Sequence, residues 1–328
     1  RGLGDVYKRQ VVTCLLGIMG LVVAPAQKVI LPQPSLQPSA AQKAQIDRKY
    51  GMFVHFGINT FHDQEWTDGT LPAKSYAPAQ IDAEQWVRAA KEAGMKYLIL
   101  ITKHHDGFCL WDSKYTDYDV ASSSNTTNVV EAVAKACKKY DMGLGLYYSL
   151  WDRHQNADVK DRKLDASYNE YMVGQLKELL KITGKYTHVV EFWFDGGWVK
   201  PNYRWPLMDI YPTIKKEEPK CQVGINWSIG KPENVDAHPV YPEHQQEGFP
   251  IRYFPSDFRL GDPMLPAAND PKIFTHDGKD YYMPWESTVC ISQRWFYNTK
   301  DNTFKSVDEL EKLYRRATAN DNILIPVS

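Results

Sequence analysis

The stretch Glu191-Phe192-Trp193-Phe194-Asp195-Gly196-Gly197-Trp198 carries an apolar strand onto a carboxylate and then onto two glycines. The glycines let the chain turn away and leave the Asp195 side chain presented at the strand's end. An aspartate in that place often does no more than cap a helix. Here tryptophans stand two residues before it and three after, and such rings can frame a ring-shaped ligand.

The same layout recurs on both sides. Met52–Phe56 is an apolar strand holding His55, and Tyr97–Ile101 leads into Lys103-His104-His105-Asp106-Gly107-Phe108. Leu144–Tyr148 ends on two tyrosines, and Cys221–Asn226 supplies a fifth strand. Helical patterns lie between: Ile81–Ala93 with Gly94 as its stop, Val129–Lys139, Tyr168–Thr183 and Trp205–Lys216. Strand and helix in alternation define parallel βα units. No G-x-G-x-x-G or Walker sequence follows a strand, which argues against a doubly wound nucleotide fold. Polar and aromatic residues at the ends of several strands are instead the mark of a (β/α)8-like TIM barrel. Its second half, where the alternation fades, is expected to be irregular.

The chain has 328 residues, 39 Lys+Arg against 40 Asp+Glu, and a net charge of −1. With 43% hydrophobic residues it is neither disordered nor fibrous. It carries no charge excess that would suit nucleic acid. Ten Trp and 20 Tyr against 12 Phe favour rings with a polar handle, which serve cores and polar-ligand clefts alike.

Residue 1 is Arg, so the start reads as ragged. Lys8 and Arg9, the apolar run Val11–Ala24 and Ala24-Pro25-Ala26 follow the order of a signal peptide. The expected division is therefore a signal at 1–26, a leader at 27–45, extended through Ala41, and a catalytic barrel at 46–328. Export to the periplasm or beyond follows, with no stable membrane span after cleavage. Thr13 before Cys14 disfavours a lipoprotein. Cys109, Cys137, Cys221 and Cys290 show no metal spacing and read as buried free thiols.

Adjacent histidines on an extended backbone point opposite ways, so one of His104 and His105 can enter a cleft while the other braces its wall. No His pair at i,i+4 supports a metal. A glycosidase needs a second carboxyl group kept protonated. Glu243, Glu247, Asp257 and Glu286 are available downstream, and spacing does not choose among them.

Taken together, Gly51–Gly57, Glu65-Trp66, Lys103–Phe108 with Leu110-Trp111, Gly145–Ser149 and Trp193–Gly196 resemble the family 29 α-L-fucosidases. Pro284-Trp285-Glu286, Trp295-Phe296-Tyr297 and Asn320–Pro326 look like that family's late barrel, so the resemblance spans about residues 48–326. It implies a retaining exo-glycosidase that removes terminal α-L-fucose from glycans, without metal or organic cofactor. Asp195 matches the nucleophile. His55, His104, His105, Trp66 and Tyr147 match residues that bind the sugar hydroxyls, Trp193 a pocket-wall aromatic, and Glu65 a neighbour of these. Neutral imidazoles, each with a donor and an acceptor, suit adjacent hydroxyls.

The resemblance leaves the acid/base open. Val240–Gln245 looks like a degenerate form of the family's acid/base stretch and makes Glu243 the first choice. An alignment placing Arg252 on a substrate-contacting arginine promotes Asp257, and Glu286 comes third. The family's usual C-terminal β-sandwich is not expected within these residues. An α-L-galactosidase on the same fold and a non-catalytic glycan-binding barrel are the alternatives.

Overall fold

Alternation along the strands sorts the barrel's interior from its shell. The computed structural model describes residues 29–155, 166–200, 203–230 and 245–327, so the signal at 1–26 and the candidate acid Glu243 lie outside the described residues. Strands β1 (Gly51–Val54), β2 (Tyr97–Lys103), β3 (Gly143–Ser149), β4 (Val189–Asp195), β5 (Gln222–Ile225) and β6 (Arg259–Gly261) come first. A hairpin of β7 (Ile273–His276) and β8 (Lys279–Tyr282) precedes β9 (Trp285–Cys290) and β10 (Ile323–Val327). Eight strands form one parallel sheet in the order β5-β4-β3-β2-β1-β10-β9-β6. Its two edges meet through a parallel bridge between Gly224 and Phe258 and the bond from Asp257 N–H to Val223 O, 2.7 Å. The expected TIM-like barrel is what the chain forms.

Side chains two apart share a face. Phe53, Ile99, Tyr147, Trp193, Phe258, Leu260, Ile323 and Ile325 fill the interior as one cluster. Val54, Leu98, Leu100, Leu144, Leu146, Phe192, Phe194 and Val223 face outward onto the helices. Such layered filling makes the barrel a packed core and not a pore. At Gly224 an added Cβ would stand 2.4 Å from the Phe258 ring, so the ring occupies the space a side chain there would need.

Helices α2 (Ala83–Glu92), α3 (Val129–Tyr140), α4 (Ala166–Thr183) and α5 (Leu207–Glu217) fall in the connections read as helical. Asp82 and Asn128 cap α2 and α3 by accepting from backbone N–H groups, and Gly94 takes φ +81° just past α2. Helix α6 (Val307–Ala317) joins β9 to β10 behind a capping box of Ser306 and Glu309. Among the described residues no helix follows β5 or β6. Pro250, Pro255, Pro263, Pro266 and Pro271 fall in that stretch, and each removes a backbone donor a helix needs. The irregular second half is thus as expected.

Helix α1 (Ala40–Arg48) closes the floor, the end where the strands begin. The leader read as extended through Ala41 turns helical at Ala40, because Ser39 and Gln42 form a reciprocal capping box. Cys109, Cys137, Cys221 and Cys290 are free thiols, all but Cys290 fully buried. Among the described residues no helix is long and apolar enough to cross a membrane.

Candidate active site

The C-terminal ends of the strands open into a cleft of about 350 Å³. Interior parity delivers its polar residues: His55 follows β1, Asp195 ends β4, Asn226 follows β5 and Asp262 follows β6. His104 and His105 arrive from β2, where a register shift between Ile101 and Lys103 changes which way the side chains face. Glu65, Trp66, Trp198, Trp227, Trp295 and Phe296 complete the wall.

Asp195 accepts from the Tyr147 hydroxyl (2.9 Å) on Oδ2 and from Asn226 Nδ2 (3.1 Å) on Oδ1. The same Asn226 nitrogen bonds Asp262 Oδ2 at 3.3 Å. Two carboxyl groups, Asp195 buried and Asp262 half-buried, therefore share one amide. Burial raises the pKa of Asp195, opposed by hydrogen bonds from Asn226, the Gly196 backbone, Tyr147 and Trp198. Asp262 is pushed well above the carboxylate range, by burial first and by the charge of Asp195 second, with Asn226 alone opposing. Asp195 thus keeps four hydrogen bonds that favour its charged form, where Asp262 keeps one. Two carboxyl groups driven apart in this way divide into an acid and a nucleophile or base.

The three histidines are neutral. Burial lowers all of them, helped by His104 at His55, by His105 at His104, and by Arg153 at His105, whose pKa falls to about 3. The 3.5 Å contact of His105 Nε2 with Asp195 Oδ2 is thus not an ion pair. The hydrogen-bond network assigns the tautomer of His105. Ser149 gives its one hydrogen to Trp151 O (2.6 Å), so it accepts from His105 Nδ1–H (2.7 Å) and leaves Nε2 an acceptor. Asn59 Nδ2 lies 3.3 Å from His104 Nδ1 and also bonds Asp106 Oδ2 at 3.1 Å and Glu65 O at 3.3 Å. His55 Nδ1 is buried with no protein partner. Neutral rings that offer an acceptor at His105 and an unpartnered nitrogen at His55 suit vicinal hydroxyls.

Of the residues singled out in the sequence, His55, Glu65, Trp66, His104, His105 and Asp195 line this cleft. Trp66 is 46% exposed and stands edge-on to His105 at 5.3 Å. Glu65 accepts from the backbone N–H of Trp295 at 3.1 Å, tying two walls together. Tyr147 reaches the cleft through its hydroxyl, and Trp193 stacks beneath it at 5.4 Å in the barrel interior, not on the wall. Arg252 is not among the lining residues and lies over the Tyr253 ring at 4.7 Å.

The structure places neither of the two described acid/base candidates at the cleft. Asp257 sits where β5 begins, accepting from Tyr211 (2.7 Å) and Val223 N–H (2.9 Å) and paired with Lys215 at 2.7 Å. Glu286 opens β9 at the barrel floor, accepting from Tyr97 at 2.9 Å. Both hold the opposite end of the barrel. Glu247 is exposed. Among the described residues, the carboxyl group that shares an amide with Asp195 is Asp262, which sequence reasoning misses because β6 is only three residues long. Its one signal is Gly261-Asp262-Pro263, an acid at a strand end followed by a chain-turning residue. Among the described residues no three His, Cys, Asp or Glu side chains gather as metal ligands.

A parallel barrel presenting two neighbouring carboxyl groups among histidines and tryptophans has the parts of a glycoside hydrolase. The family model described as Alpha-L-fucosidase matches residues 23–328, and the chain belongs to that family. It is 32% identical over 312 residues to alpha-L-fucosidase 1 of Arabidopsis thaliana, covering 91% of this chain and 56% of the relative. A glycoside hydrolase 29 family member from a rumen bacterium superposes with TM-score 0.72 at 26% identity, covering 91% of this chain and 53% of that one. A Ruminococcus gnavus GH29 fucosidase in complex with fucose gives 0.69 at 25% identity, with 92% and 65% covered. The chain spans about half the length of the curated relatives it matches.

Proposed function

We propose that this chain is a retaining α-L-fucosidase that releases terminal fucose from glycans, with Asp195 as nucleophile and Asp262 as acid/base. The carrying observation is the carboxyl pair: Asn226 Nδ2 bonds Asp195 at 3.1 Å and Asp262 at 3.3 Å, which brings the two groups together across the cleft. That closeness accords with the separation of about 5–5.5 Å used by retaining glycosidases, against ~6.5–9.5 Å for inverting ones. A relative bound to fucose supports the choice of sugar.

In the first step an Asp195 oxygen bonds the anomeric carbon as the glycosidic C–O bond breaks. The departing oxygen takes the proton of Asp262. In the second, the Asp262 carboxylate accepts a proton from water, whose oxygen attacks the anomeric carbon and frees Asp195. His104 and His105 orient the sugar hydroxyls, and buried aromatic rings exclude bulk water. The export signal read at residues 1–26 supports action outside the cytoplasm, which fractionation of the expressing cell tests.

Asp195→Asn is expected to abolish hydrolysis of an aryl α-L-fucoside while fucose binding survives. Asp262→Asn is expected to slow a poor leaving group by at least about 100-fold, to spare an activated aryl fucoside in the first step, and to regain rate with azide. Full activity of Asp195→Asn removes the nucleophile. An Asp262→Asn enzyme as fast as wild type on natural glycans removes the acid.

A further inference from the structure

We propose that Asn226 is a positioning residue that follows the single negative charge of the catalytic pair, offering one amide N–H to Asp195 and the other to Asp262. This rests on the assignment of the pair above and goes beyond it. The amide nitrogen carries two hydrogens and lies 3.1 Å from Asp195 Oδ1 and 3.3 Å from Asp262 Oδ2. Its own placement is fixed, since the Asn226 backbone N–H donates to Phe194 O at 2.8 Å and the residue is 1% exposed.

Charge accounting gives the bridge its role. Before reaction Asp195 is the carboxylate and Asp262 holds the proton. After the glycosidic bond breaks, Asp195 is a neutral ester and Asp262 is the carboxylate. One charge is present throughout, and it moves from one end of a single NH2 group to the other. A donor already aimed at both places needs no reorientation as the charge shifts, which is the condition under which fixed dipoles lower a barrier. The Asn226 Oδ1 atom is buried without a protein partner, so the amide is held for its donors.

The other groups facing the pair do not substitute. Tyr147 and His105 touch Asp195 only. His55 and Glu65 also line the cleft, where Glu65 is taken up by the Trp295 N–H. Tyr253 feels the charge of Asp195, and Cys290 that of Asp262, through space. Among the described residues, the protein hydrogen bond reaching both carboxyl groups is that of Asn226.

The test uses Asn226→Ala and Asn226→Ser, with two readouts. The amide favours the charged form of both groups, so its removal raises both titrations. In pH–rate profiles on an aryl α-L-fucoside, the acid and alkaline limbs are both expected to move to higher pH, with kcat down about 100-fold. In the full chain labelled with 13C at aspartate carboxyl carbons, assigned through the Asp195→Asn and Asp262→Asn variants, the two resonances should titrate at higher pH. The serine variant, which keeps one hydroxyl donor, should move them less in the same direction, so an alanine variant that fails to fold leaves the outcome readable. Unmoved limbs and unmoved titrations, or movement of one carboxyl group alone, overturn the proposal. A wild type without turnover removes the fucosidase reading, while the carbon titrations still decide this one.

Discussion

At the scale of single residues, the cleft works by fixing which atom carries a proton. Ser149 has no contact with a sugar to make, because its hydroxyl is spent between Trp151 O and His105 Nδ1. Yet it decides that His105 shows an acceptor to the cleft. Ser149→Ala leaves that buried N–H without a partner, a cost of about 1–3 kcal/mol. The ring is then free to turn or to change tautomer. The expected result is a fall in kcat/KM of about tenfold on an aryl fucoside, mostly in KM, with the pH limbs unmoved because neither carboxyl group loses a donor. An unchanged KM would show that Ser149 does not set the ring.

At the scale of elements, the barrel closes where β5 meets β6. That junction rests on the Gly224–Phe258 bridge and the Asp257 bond to Val223, yet these two strands carry Asn226 and Asp262. Gly224→Ala would put a methyl group 2.4 Å from the Phe258 ring. Overpacking of that kind costs about 1–3 kcal/mol, to be read as a lower denaturation midpoint at unchanged m-value. Because the junction also spaces the carboxyl pair, kcat should drop along with stability. A variant less stable but fully active would show the spacing to be set elsewhere.

At the scale of the whole molecule, two acid clusters occupy the two ends of one interior. At the floor, Glu191 accepts from Gln45 at 3.0 Å and stands 3.6 Å from the Arg48 guanidinium. Glu286 beside it is pushed well above the carboxylate range by burial and then by Glu191. A carboxyl group with a raised folded pKa contributes stability that is complete below its unfolded value. That stability is lost as pH rises through the folded one. Glu286→Gln keeps an acceptor for Tyr97 and removes the titration. Its Tm should match wild type in acid and exceed it increasingly as pH rises, with the pH–activity profile unmoved. A shifted activity profile would bring Glu286 back as a catalytic acid.

Much of this was legible in the chain because the first four barrel strands are long apolar runs. Each declares its end, and with it His55, the His104-His105 pair and Asp195. Asn226 stood at the end of the fifth such run but carried no charge to attract notice. Asp262 follows a strand too short to show a period. Asp257 and Glu286 looked equally acidic in sequence, and only closure of the barrel shows that they face its floor. The helix at Ala40 was hidden because its capping box follows a run of prolines that reads as extended chain.

The position of β10 has a consequence of its own. It lies between β1 and β9, with Val327 paired to Phe53 on one side and Cys290 on the other. Strand β1 therefore waits for β10, more than 270 residues later in synthesis, before it has both neighbours. Sequence separation on that scale slows folding. Until about residue 327 has been made, the nascent polypeptide keeps an open seam beside its own beginning, and the catalytic cleft cannot exist before translation of this segment is complete.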